Sequence, residues 1–182
     1  MKAYIVDTNV LIDIKNIMAG NISPQTKRFY RNYSGLIETI ANGEVQIIVV
    51  PTVLEEIKQG ARKDDYSLEI LIQRFCLEYE FSTRELELVD KLYSDYIESE
   101  DPAIPVFKEI NGIIKYNSKD ARILAESTVV YNNNKQDVIK LITNNVSDFT
   151  NPTSIWKINY KYGLKSIPFN SVMATNAKKE IR

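Results

Sequence analysis

Apolar positions along the chain switch between two periods, one suited to strands and one to helices. Residues 2–6 form a short apolar run of strand length, and from about Asn9 to Met18 the apolar residues recur at helical spacing. After the polar joint Gly20-Asn21-Ile22-Ser23-Pro24, a second helix runs to about Ala41 and stops at Asn42-Gly43, a C-terminal signal. Val45 to Val50 is nearly continuous in hydrophobicity, rich in β-branched residues and bounded by Gly43 and Pro51, the pattern of a strand buried on both faces. Thr52, with Glu55 three residues on, reads as a capping box that opens a helix ending near Gly60. Another helix follows over about Tyr66–Arg74, and Cys76 to Phe81 reads as a third strand.

Ser82-Thr83-Arg84-Glu85 is a second capping box, opening a helix to about Ile97. Residues 99–117, with Asp101-Pro102 and Ile104-Pro105, read as an irregular joint with room for a short helix. A helix from about Ser118 to Tyr131 leads to the Asn132-Asn133-Asn134 loop. Val138–Ile142 is a fourth strand, and Ser166–Phe169 a short fifth, placed at an edge by Pro168. Strands separated by helices predict an α/β fold: a three-layer α/β/α sandwich around a central, mostly parallel five-stranded sheet, as a single domain over residues 1–182.

Composition narrows the chemistry more than the fold. With 44% hydrophobic and 26% charged residues the chain is ordinary for a globular protein, and its longest apolar run is strand-sized, too short for a membrane span. The lone Cys76 cannot form an internal disulfide, and no signal peptide precedes Asp7, so a cytoplasmic protein is expected. There is no histidine, which excludes serine–histidine and cysteine–histidine nucleophile schemes and removes the commonest zinc ligand. An enzyme built from this chain must rely on carboxylates, lysine, tyrosine or a hard metal ion. The net charge of −1 gives no general attraction to nucleic acid, so only a local basic patch would supply it.

Ligands of open α/β sheets gather beyond the carboxyl ends of the strands. Asp7 ends the first strand, Glu55 and Glu56 follow the second, Asn144, Asn145 and Asp148 follow the fourth, and Asp120 opens a helix that can reach the same rim. Clustered carboxylates raise one another's pKa unless a cation lies between them, and Mg²⁺ or Mn²⁺ favours such oxygen ligands. Each acid also has a plainer role: Asp7 and Asp120 as helix-start acids, Asp148 as a turn residue. Their convergence on one rim, in a chain without histidine, favours metal-assisted phosphodiester hydrolysis.

In this order the residues resemble the PIN-domain family, including the ribonuclease toxins of the VapBC type. The likeness is carried by Ile5-Val6-Asp7-Thr8-Asn9-Val10-Leu11-Ile12, Pro51-Thr52-Val53-Leu54-Glu55-Glu56-Ile57, Asp120-Ala121-Arg122-Ile123-Leu124-Ala125 and Ile142-Thr143-Asn144-Asn145-Val146-Ser147-Asp148-Phe149. The resemblance implies a PIN-like fold and a divalent-metal-dependent endoribonuclease using Mg²⁺ or Mn²⁺. It implies Asp7 as central metal ligand, Asp120 as second ligand, Glu56 as a further ligand or water-orienting group, and Asp148 completing the acid set. Thr8 and Asn9 would hold the Asp7 loop and Thr143 would order the last one. Asn145 stands where many relatives carry an acid.

The partners so implied are an RNA substrate, a cognate antitoxin of a type II toxin–antitoxin pair and a second copy in a homodimer. Lys115, Lys119 and Arg122 surround Asp120 and are suited to neutralising phosphates, with Lys119 and Arg122 the RNA-binding candidates. Arg28, Arg31, Tyr30 and Tyr33 can share an exposed helical face. Trp156, Tyr160 and Tyr162 interleave with Lys157, Lys161 and Lys165, a pattern suited to stacking bases and contacting phosphates. Aromatic stripes at helical spacing usually face the core, so the expectation is that these rings pack the last helix on the sheet. Two other functions compete: a PIN scaffold that binds RNA or protein without catalysis, and an unrelated Mg²⁺-dependent α/β phosphatase. The phosphatase would want a second acid beside Asp7, where Asn9 stands.

Overall fold

In chain order the elements are β1 (Lys2–Val6), α1 (Thr8–Met18), α2 (Pro24–Ala41), β2 (Val45–Val49), α3 (Pro51–Gly60), α4 (Ser67–Phe75), β3 (Cys76–Glu78) and α5 (Thr83–Glu98). They continue with β4 (Phe107–Ile110), β5 (Ile113–Tyr116), α6 (Ser118–Asn133), β6 (Val138–Ile142), α7 (Pro152–Lys161) and β7 (Phe169–Asn170). The structure is a computed structural model that describes residues 1–60, 67–99, 107–110, 113–116, 118–134, 137–144 and 152–171.

Five strands form one sheet in the order β3-β2-β1-β6-β7, with every neighbouring pair parallel. The chain leaves the central β1 toward β2 and β3, then returns to β6 and β7 on the other side. A topological switch point therefore falls between β1 and β6. Parallel strands need crossovers, and the helices they require cover both faces of the sheet. Helices α1, α2 and α4 pack together, as do α5, α6 and α7, while α3 touches both α1 and α6. Ile5, Val6, Ile47, Val49, Leu141 and Ile142 are buried between these layers. Each such side chain contributes roughly 1.5–3 kcal/mol by leaving water. The predicted α/β/α sandwich with five strands is the fold observed. Among the described residues, no helix is long and apolar enough to cross a membrane.

Local signals act as the sequence suggests at two helix ends. Gly43 has φ 68°, its N–H bonds Ile40 O and the Glu44 N–H bonds Thr39 O, the paired bonds of a Schellman cap that closes α2. Ser82 and Glu85 form a reciprocal capping box at the start of α5. Replacing Ser82 with Ala is expected to lower stability by about 1 kcal/mol, measured by denaturant unfolding. An unchanged midpoint would show that Glu85 alone holds the helix start.

Four expectations are corrected. Thr52 is not the N-cap of α3: the helix begins at Pro51, whose fixed φ suits the first helical position. Val50 precedes it and has no side-chain oxygen to cap the first turn. Glu126, on α6 and only 2% exposed, fills that role across the fold. Its carboxylate accepts the Thr52 N–H at 3.1 Å and the Thr52 hydroxyl at 2.9 Å. Residues 107–116 are not an irregular helical joint, because β4 and β5 pair antiparallel there. The sequence Asn111-Gly112 between two apolar runs is a hairpin signal that explains the pairing.

Tyr33 does not share an exposed face with Tyr30. It is buried and donates to Asp13 Oδ2 at 2.5 Å, since it falls on the i, i+3, i+4, i+7 stripe of Leu36, Ile37 and Ile40. Trp156 and Tyr160 do not pack on the sheet either. They are 55% and 71% exposed, while Ile155 and Asn159 take the buried positions of α7.

Candidate active site

The site is built around the end of β1. The Asp7 N–H donates to Ile142 O at 3.0 Å and the Thr143 N–H donates to Asn170 O at 3.1 Å, so the sheet ladder carries these residues to its carboxyl rim. Asp7 is only 4% exposed and is the N-cap of α1, its Oδ1 accepting the Thr8 N–H at 2.7 Å. Its other oxygen accepts the Thr143 hydroxyl at 2.9 Å. A helix cap and a candidate catalytic acid are thus the same side chain.

Glu56 lies one turn into α3 and accepts a hydrogen bond from the Thr8 hydroxyl. Glu55, its neighbour, is exposed. Adjacent helical residues point about 100° apart, so with Glu56 turned to Thr8 and the cleft, Glu55 faces away. Asp120, in the first turn of α6, joins them: Asp7, Thr8, Asn9, Glu56, Gln59, Gly60, Lys119 and Asp120 line one open cleft of about 400 Å³. Lys119 spans this cleft, donating to Gln59 Oε1 at 2.7 Å. Gln59 was not singled out from the sequence, although it stands three residues after Glu56 and so shares its helical face.

Not every candidate converges. Arg122 lies outside the cleft lining and turns toward α5, pairing with Asp90 at 2.6 Å, with its guanidinium 5.4 Å from the Tyr93 ring centre. Asn144 donates to Asp13 Oδ2 at 2.9 Å and to the Tyr33 hydroxyl, which ties the chain after β6 to α1 and α2. That tie was not foreseen, because it joins three residues distant in sequence. Burial and the bond to Asp13 push the Tyr33 hydroxyl pKa upward, so it stays protonated as the donor. Asn145 and Asp148 lie outside the described residues, as do the side chains of Lys115 and Arg28.

The lining offers carboxylates, two carboxamides and a hydroxyl, with no sulfur or imidazole, which is a donor set for a hard cation. Its open side leaves room for the waters that Mg²⁺ habitually keeps. Among the described residues, no group of three or more His, Cys, Asp or Glu side chains is gathered tightly enough to hold a metal ion unaided.

No protein-family model matches the chain, and no curated protein matches it. A solved structure does: a chain from the crystal structure of VapBC2 of Rickettsia felis bound to a DNA fragment from their promoter. The two superpose with a TM-score of 0.52 at 16% identity, over 93% of this chain and 98% of that one. At this identity the likeness speaks for the fold, and the fold is PIN-like: an α/β/α sandwich on a five-stranded parallel sheet with Asp7 at its switch point.

Proposed function

We propose that this chain is a divalent-metal-dependent endoribonuclease acting in a PIN-like fold, as the toxin of a type II toxin–antitoxin pair. One observation carries the proposal: a buried, doubly hydrogen-bonded Asp7 at the switch point faces a cleft that it shares with Glu56 and Asp120. The likeness of fold to a VapBC2 chain and the four matching motifs support the family and the antitoxin partner.

Asp7, Glu56 and Asp120 would contribute carboxylate oxygens to the shell of Mg²⁺ or Mn²⁺, completed by the waters such an ion keeps, with Asp148 as a further acid. When bound, such an ion supplies positive charge for the phosphodiester and lowers the pKa of a nucleophilic water. The chain's own residues do the positioning. Thr8 and Thr143 fix the Asp7 carboxylate, the Thr8 hydroxyl also reaches Glu56, and the Lys119 ammonium sets a cation on the cleft wall where a phosphate would approach.

The test is cleavage of single-stranded RNA with Mg²⁺, Mn²⁺ or chelator, comparing wild type with Asp120→Asn. Divalent-dependent cleavage that falls at least roughly 10-fold in the variant is expected, since even outer partners of metal ligands are worth 10–100-fold. Cleavage that persists in chelator, or at the wild-type rate in Asp120→Asn, would refute the mechanism. RNA binding without cleavage under any divalent ion would favour the non-catalytic scaffold.

A further inference from the structure

Helix α7 presents a face that the proposed active site does not use. Trp156 and Tyr160, one turn apart, stack with ring centres 5.5 Å apart and planes inclined by 19°. Both rings are largely exposed, and so are Lys157 and Lys161, which makes the outward face of α7 an alternation of two aromatics and two lysines. The helix Pro-Thr-Ser-Ile-Trp-Lys-Ile-Asn-Tyr-Lys contains no acid. Lys161 is held by Asp95 at 2.8 Å and lies over the Tyr162 ring, whereas Lys157 extends from the same face as the stack. Core packing does not explain the rings, because Ile155, Ile158, Asn159 and Tyr162 already seat the helix.

We propose that the Trp156–Tyr160 stack is a platform for an unpaired base of single-stranded RNA, with Lys157 meeting the adjoining phosphate. Two rings already stacked along a helix leave outer faces on which a base can stack as the next layer, and such stacking tolerates any base. Trp156 is the N-terminal member of the pair, so its free face looks toward the start of α7. Charge favours a polyanion over a basic or neutral partner, since lysines and no carboxylates share this helix, and the open aromatic stack favours unpaired bases over an acidic peptide.

The inference rests on the ribonuclease proposal, but binding is read in chelator, where no metal-dependent cleavage occurs, so the two can fail separately. Trp156 is the sole tryptophan, so its emission reports on the site directly. Titrating the full chain with a short oligoadenylate is expected to quench that emission saturably, whereas the oligoadenylate–oligouridylate duplex does not. Tyr160→Ala, followed by the same emission, and Trp156→Ala, followed by anisotropy of labelled RNA, are each expected to bind roughly 5- to 150-fold more weakly. Both rings are exposed, so unchanged thermal midpoints are expected to confirm that folding is intact. Binding without quenching, equal quenching by duplex, or no binding would overturn the platform. A wild-type dimer that dissociates in Trp156→Ala during sedimentation would also overturn it, in favour of self-association.

Discussion

Replacing Asp7 with Asn is expected to lower RNA cleavage by more than about 100-fold while the protein stays folded. The lower bound follows because even partners that merely orient a metal ligand are worth 10–100-fold, and Asp7 is proposed as a ligand itself. The substitution is close to isosteric and removes the charge that would meet a cation. Asn is as good an N-cap as Asp, so the Oδ1 that accepts the Thr8 N–H survives. On the other side an amide nitrogen replaces Oδ2, and the Thr143 hydroxyl can rotate to accept from it rather than donate to it. A stability loss within about 1–2 kcal/mol is therefore expected, checked by thermal unfolding beside initial rates on single-stranded RNA. A wild-type rate would leave Asp7 as a helix cap and nothing more.

That dual identity explains what was legible in the sequence. The strand ends were readable because β-branched runs such as Val45–Val50 and Val138–Ile142 are bounded by turn residues, and the rim rule then brought Asp7, Glu56 and Asp120 to one edge, whereas Thr143 was implied only by the resemblance. Glu56 was preferred from the resemblance and from assigning Glu55 to a capping box that the structure does not contain. Local signals failed where a distant residue did the work. Thr52 and Glu55 have the spacing of a capping box, yet the helix starts at Pro51, two residues earlier than that box would start it, and a carboxylate from α6 takes the Thr52 donors. Arg122 neighbours Asp120 in sequence, yet Asp90 and Tyr93 draw it to α5. The tie among Asn144, Asp13 and Tyr33 has no periodicity at all, since its members meet only after β6 settles beside β1. The exposed Trp156–Tyr160 stack escaped because helical spacing says which residues share a face, while the packing of α7 decides which face is covered.

The cap supplied by Glu126 makes a second strong prediction, on stability. Glu126→Ala would leave the Thr52 N–H and hydroxyl without their acceptor in a buried place, at a cost of about 2–4 kcal/mol. Arg122 would keep Asp90, so no charge is orphaned, and the loss belongs to the start of α3. Glu55→Ala is the discriminating control: Glu55 is exposed, and its removal is expected to fall within about ±0.5 kcal/mol. Equal losses from the two variants would restore the local Thr52–Glu55 box and remove the cap from α6. The pH dependence gives an independent check. Burial raises the Glu126 pKa above its ordinary value of 4.5, and the bonds from Thr52 and the charge of Arg122 only partly offset it. The folded state therefore holds this proton more tightly than the unfolded chain does. The stability so gained is fully present below the ordinary carboxylate pKa and is lost as pH rises through the raised folded value. Glu126→Gln has no proton to lose, so the difference in stability between wild type and this variant is expected to shift against wild type across that window. A difference that stays flat with pH would show that Glu126 is ionised equally in both states. Because α3 carries Glu56 into the cleft, the same cap that steadies the fold also sets where one of its candidate catalytic acids stands.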